Sequence, residues 1–202
     1  MRISSALFLT VCLVAGACDK GKKENAKSTG AAAPAPVAMK DGKDGLKAYF
    51  EASHAACSGK DFKKGRDLTM AIIPNKDQLK KIFKDDVPAD QIEKLADQYK
   101  EMPPTDEAAA CVFYPGQGRT AIQVHASSVE DLAVYKEGTP AFDEFPGGAK
   151  KLAEKYLKGG TTFYEVEVTE PGKDMGTKYH MFFWDGTGWR MLGPAWRVFK
   201  AE

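Results

Sequence analysis

Residues 161–169 read Thr161-Thr162-Phe163-Tyr164-Glu165-Val166-Glu167-Val168-Thr169. Tyr164, Val166 and Val168 alternate with Phe163, Glu165 and Glu167, and a period of two carried by aromatic and β-branched residues predicts a β-strand. Gly159-Gly160 before it and Pro171-Gly172 after it are turn formers. Downstream, Thr177 to Trp184 and Gly188 to Leu192 flank Asp185-Gly186-Thr187, which predicts a hairpin. Trp196 to Phe199 reads as a last short strand. Upstream, Thr120 to Ala126 alternates, with Ile122 and Val124 facing one way and Gln123 and His125 the other. Cys111-Val112-Phe113-Tyr114 reads as a short strand before the turn Pro115-Gly116-Gln117-Gly118. Val129 to Tyr135 and Ala149 to Leu157 read as helices between the strands.

The period differs in the first half. Leu46, Tyr49, Phe50, Ser53 and Cys57 recur at helical spacing until Gly59. Phe62 to Ile72 is a second helix, stopped by Pro74. Asn75 then reads as an N-cap for Lys76 to Phe83. A fourth helix runs from Ala89 to Glu101, with Ile92, Leu95, Ala96 and Tyr99 inward, and Pro103-Pro104 closes it. Helices followed by antiparallel strands define an α+β class, with N-terminal helices packed on a curved antiparallel sheet formed mainly by the C-terminal half. This order resembles the NTF2-like or cystatin-like cone, in which helices pack on a bent antiparallel sheet. The resemblance is one of topology and names no site, because one scaffold hosts unrelated functions.

The start of the chain has a different character. Arg2 is followed by the uncharged run Ala6 to Val14, about nine residues, which suits a signal-peptide core and is too short to span a bilayer. Ala15-Gly16-Ala17-Cys18 then offers small residues for cleavage before Cys18. An ordinary secretory signal satisfies the same pattern. The tetrapeptide also resembles the lipobox of bacterial lipoproteins, with Ala15 where Leu is commoner. That resemblance implies residues 1–17 as signal peptide, a diacylglyceryl group on Cys18, and a domain held in the bacterial envelope, periplasmic, at the inner or the outer membrane. Asp19 implies inner-membrane retention where the enteric sorting rule applies.

Cleavage removes Cys12 and leaves Cys18, Cys57 and Cys111, an odd number for an exported protein. If Cys18 is acylated, Cys57 and Cys111 remain to form a disulfide in an oxidising compartment. Two separate buried thiols are the alternative. Residues 18–45 are rich in Lys, Gly, Ala, Pro and Ser and lack apolar periodicity, so they read as a disordered tether. Residues 46–202 are expected to form a single domain large enough for its own core.

Composition excludes some partners. The formal net charge is +1, with acids and bases interspersed and no basic stripe, so nucleic acid is not an expected partner. No metal site is expected, because His54 and Cys57 are the only close His/Cys pair and no second pair completes a ligand set. No G-x-S-x-G is present, Ser127 and Ser128 near His125 form no recognisable triad, and no catalytic residue or cofactor is assigned. Pro146-Gly147-Gly148-Ala149-Lys150-Lys151 lacks phosphate-loop spacing and reads as a helix start. Glu165 and Glu167 share a strand face and could pair, although a solvated face explains them equally well.

The densest unusual feature is aromatic: Tyr179, Phe182, Phe183, Trp184, Trp189, Trp196 and Phe199. Sheet core accounts for such a cluster. A ligand pocket, with His180, Trp184, Trp189, Arg190, Trp196 and Arg197 as its lining, is the functional alternative. The expectation is a membrane-anchored, non-enzymatic binding or interaction domain for an envelope protein or small ligand. An envelope enzyme using His125 or His180 is the first alternative, and a structural envelope lipoprotein the second.

Overall fold

The computed structural model describes residues 39–199 apart from 102 and 117. The signal peptide, Cys18 and the linker up to residue 38 lie outside the described residues. The first helix, α1 (Lys43–Ser58), opens three residues before Leu46, so helical structure begins inside the stretch read as linker. It is followed by α2 (Phe62–Ala71), α3 (Lys76–Ile82), α4 (Ala89–Gln98) and α5 (Asp106–Ala110). Local chemistry sets these starts. Asp61 accepts the Lys64 N–H at the head of α2, and Asn75 and Gln78 close a reciprocal capping box at the head of α3. Gly65 lets α2 approach α5, since a Cβ there would meet the Ala110 Cβ at 2.6 Å.

The remainder carries the sheet: β1 (Ala121–Ser128), α6 (Val129–Val134), α7 (Pro140–Asp143), α8 (Gly147–Lys155), β2 (Thr162–Thr169), β3 (Gly176–Trp184) and β4 (Trp189–Met191). The strands form one antiparallel meander in the order β1-β2-β3-β4. The fold is α+β, as the sequence pattern predicts. Residues beside α2 cover the β4 edge, where the Met191 N–H donates to the Ile72 carbonyl at 2.9 Å and Arg190 donates to Ala71 O at 2.8 Å. An edge covered this way is not free to pair with another chain.

Helices cover both faces of the sheet. On one face, Leu46, Tyr49 and Phe50 of α1 pack with Phe113 onto Ile122, Tyr164, Val166, Val168, Phe182 and Trp189. On the other, α3, α4, α6, α7 and α8 enclose Phe163, Met181, Phe183, Leu192 and Phe199. The Cys57–Cys111 disulfide joins the end of α1 to the end of α5 beside the first cluster, so the expected pairing is present.

Two expected strands are absent. Cys111 to Tyr114 forms a turn: Thr105 caps α5, the Cys111 N–H donates to Glu107 O, and the Tyr114 N–H donates to Cys111 O. A cap three residues before the alanine run favours a short helix there, and the turn still buries Phe113. Trp196 to Phe199 is not a strand either. Residues Ala195–Arg197 form a 3-10 turn after Pro194, with Arg197 N–H to Pro194 O and Phe199 N–H to Ala195 O. Proline has no N–H for a ladder, and its fixed φ favours the start of such a turn. The short helices α5 and α7 carry too few residues to show a helical period.

Candidate functional site

The register of β2 separates its side chains. Tyr164, Val166 and Val168 face the α1 cluster, and Phe163, Glu165 and Glu167 face the other way. Along this second face the chemistry changes. Phe163, Met181 and Phe183 are fully buried at one end. At the other end Glu165 and Glu167 lie beside His125 of β1 and Lys178 of β3.

A β-bulge places the central pair. Tyr164 pairs with Phe182 and Val166 pairs with Tyr179, so His180 and Met181 together oppose Glu165. An extra residue in one strand puts two consecutive side chains on the same face. Met181 adopts φ +60°, a left-handed conformation uncommon for a non-glycine residue, and its N–H donates to Glu165 Oε1 at 3.1 Å. His180 donates from Nδ1 to Glu165 Oε2 at 2.7 Å. The same carboxylate therefore satisfies the N–H released by the bulge and fixes the imidazole.

Glu165 is not on a solvated face. Its side chain is 1 % exposed, whereas that of His180 is 31 % exposed. Burial pushes the Glu165 carboxyl above the usual range, against the opposing pull of His180 and the Met181 N–H. A buried carboxylate without such partners would cost several kcal/mol.

A second group of ions adjoins this pair. Glu144, at the end of α7, reaches back to the sheet and accepts from Lys178 Nζ at 2.9 Å. Its other oxygen lies 3.6 Å from His125 Nδ1, and Lys178 also lies 3.8 Å from Glu167. The three side chains His125, Glu144 and Glu167 bring ligand-type atoms within 4.8 Å of one another. His125 Nε2 is buried without a hydrogen-bond partner. A divalent ion among them would face the Lys178 ammonium, which already occupies the cationic position between the two carboxylates. The arrangement therefore suits an ion-pair network better than a metal centre.

These groups border a groove of about 640 Å³ lined by Asp143, Glu144, Glu167, Asp174, Met175, Gly176, Lys178 and His180. Four carboxylates against one ammonium give its lining an acidic balance. Trp196 sits edge-on to His180, with ring centroids 5.7 Å apart, and forms part of the ring's support.

The six residues expected to line an aromatic pocket do not share one cleft. His180 borders the acidic groove. Trp184 borders a separate cavity of about 250 Å³ with Asp41, Lys81, Tyr164 and Asp185. Trp189 is 1 % exposed and packs edge-on against Tyr164 and Trp184 within the α1 cluster. Arg190 lies 3.0 Å from Asp185 and braces the hairpin. Trp196 lines a third groove beside α8, and Arg197 is exposed.

His54 belongs to the fold: its Nε2–H donates to Phe113 O at 2.7 Å, next to the disulfide. The Gly147-Gly148 segment begins α8, as its spacing suggests. Glu144, Lys178 and Asp174 join the site without a sequence signal of their own. The out-of-phase glutamates of β2 and the candidate acid–base residues His125 and His180 point to this face.

None of the protein-family models, curated proteins or solved structures compared with the chain matches it.

Proposed function

We propose that this chain is a lipid-anchored envelope protein whose folded domain binds a cationic, amine- or guanidinium-bearing ligand on the acidic groove beside Glu165 and His180. The observation that carries the reading is the buried Glu165 carboxylate paired with the half-buried His180. A sheet face with space for apolar packing instead holds a buried carboxylate, a strained Met181 and an open groove with an acidic balance. Strained backbone and buried charge oppose stability, and they cluster where a surface recognises something. Glu144 and Glu167 would exchange Lys178 for the ligand's cation, and Asp143 and Asp174 would supply the outer field.

Among the described residues no Ser, Thr or Cys side chain hydrogen-bonds a histidine, so the site offers no activated hydroxyl or thiol nucleophile. The anchor reading rests on the lipobox-like Ala15-Gly16-Ala17-Cys18. Calorimetric titration with spermine and with arginine ethyl ester is expected to give saturable binding that weakens as salt rises. Binding of succinate but of neither cation would overturn the assignment.

One observation favours a second reading, an acid–base enzyme. Glu165 holds Nδ1 of His180 and leaves Nε2 as the other nitrogen of a half-buried ring bordering the groove. Turnover lost in His180→Gln and retained in Glu167→Gln would support the enzyme and count against simple binding.

A further inference from the structure

We propose that the groove between α8 and the C-terminal 3-10 turn docks the domain on an anionic phospholipid surface, with Lys151 and Lys155 meeting the headgroups and Trp196 and Tyr156 at the interface. This proposal rests on the reading of Cys18 as a lipid anchor, and its test separates the two.

The groove measures about 590 Å³ and lies between α8 and the 3-10 turn, at the margin of the core cluster that holds Leu152 and Phe199. Leu152, Tyr156, Trp196 and Phe199 form its apolar wall. Gly148 forms its floor: a Cβ there would come within 2.4 Å of the Trp196 ring, so the indole lies directly against the backbone. Phe199 is clamped between Phe83 and Tyr156, at 5.0 and 4.9 Å, so the wall is built rather than left loose.

The rim is basic. Lys151 and Lys155 are one turn apart on α8, both exposed, and neither meets a carboxylate among the described residues. The nearby acids are already engaged: Glu154 lies 3.6 Å from Lys150, and Asp85 lies 3.8 Å from Lys158. Lys84 adds a third cation, donating to the Glu154 carbonyl at the same end of α8. Tryptophan and tyrosine flanked by lysines are the side chains that favour a membrane–water interface. Anionic headgroups supply the complementary charge.

Chain length makes a weak surface sufficient. Twenty residues separate Cys18 from Met39. Such a span, if flexible, has a root-mean-square reach of roughly 25 Å. A lipid on Cys18 would thus hold the domain within about one diameter of the bilayer, at millimolar effective concentration. The acidic groove beside His180 adjoins this surface through the Trp196–His180 contact, but the two grooves share no lining residue.

The test uses the chain carrying Cys18→Ser, to which no lipid can attach, in sedimentation with vesicles of phosphatidylcholine, with and without phosphatidylglycerol. Binding to the phosphatidylglycerol vesicles is expected, weakening about 25-fold in Lys151→Ala/Lys155→Ala, since each lysine near such a surface contributes about fivefold. Quenching of tryptophan fluorescence by brominated lipid is expected to fall in Trp196→Phe. The pair Lys47→Ala/Lys63→Ala, on α1 and α2, should leave binding unchanged. No binding, equal binding to neutral vesicles, or an equal loss in the α1/α2 pair would overturn the proposal. Mass spectrometry of Cys18 in the native envelope tests the anchor separately: an unmodified Cys18 overturns the anchor reading and leaves the vesicle result standing.

Discussion

On β2, Tyr164, Val166 and Val168 enter an apolar cluster closed by α1, while Phe163, Glu165 and Glu167, one residue out of phase, pass from apolar to ionic along the same strand. The first face is built for stability. Its large side chains, Phe50, Phe113, Phe182 and Trp189, are almost fully buried and meet mostly edge-to-face. The second face holds a buried carboxylate, whose desolvation is offset only by the His180 ring and the Met181 N–H that it satisfies. The difference shows where the sequence departs from good packing, and such departures concentrate at working sites.

The largest effect should come from the first face. Phe182→Ala removes a fully buried ring and is expected to cost about 3–5 kcal/mol in urea unfolding. Spermine binding by the protein that remains folded should be unchanged. Equal damage to both properties would mean that the faces are not separable.

Breaking the disulfide should be comparable. The bridge spans a sequence separation of 54 and ties the end of α1 to the end of α5 beside the first face. Replacing Cys57 and Cys111 together by Ala is expected to cost about 4 kcal/mol in the chain-entropy picture. The midpoint shift between oxidised and reduced protein checks it.

Smaller effects come from the second face. Glu165→Gln keeps an acceptor for the Met181 N–H and removes the buried charge. Burial raises the Glu165 carboxyl, so folding favours its protonated form. That contribution is present below the unfolded pKa and is lost as pH rises through the higher folded value. Wild type should therefore lose stability relative to Glu165→Gln as pH climbs above 4.5, the carboxyl's ordinary value. Glu165→Ala strands both partners and should cost about 1–3 kcal/mol at neutral pH.

The smallest effect is the opposite pH trend on the first face. Burial holds His54 below its ordinary 6.5. Its contribution is present above 6.5 and is lost as pH falls from there through the folded value. His54→Gln should flatten that part of the pH–stability curve. A curve unchanged by the substitution would place the acid sensitivity elsewhere.

The two faces also differed in how legible they were. Helical spacing from Leu46 to Cys57, the Asn75 cap and the alternation of residues 162–168 were visible, because each is a local pattern. The disulfide followed from counting sulfurs. The site was only half visible. Glu165 and Glu167 stood out as charges on one strand face, and His125 and His180 as candidate acid–base residues. Strict alternation along β3 would put His180 on the same face as Phe182. The bulge at Met181 reverses that, and methionine carries no signature of a left-handed φ. Glu144 arrives from the end of α7, distant in sequence from both β2 and β3. For the same reason the aromatic residues, read as one cluster, divide between opposite faces of the sheet.

The most direct test of the ligand assignment is a two-dimensional amide NMR titration of the Cys18→Ser chain with spermine. Shifts are expected to saturate and to concentrate at Glu144, Glu167, Lys178 and His180, and to be at least about tenfold weaker in Glu144→Gln/Glu167→Gln while its unfolding free energy stays within about 1 kcal/mol of wild type. Shifts centred on Trp184 and Asp185 instead, or an undiminished titration in the double variant, would contradict the account.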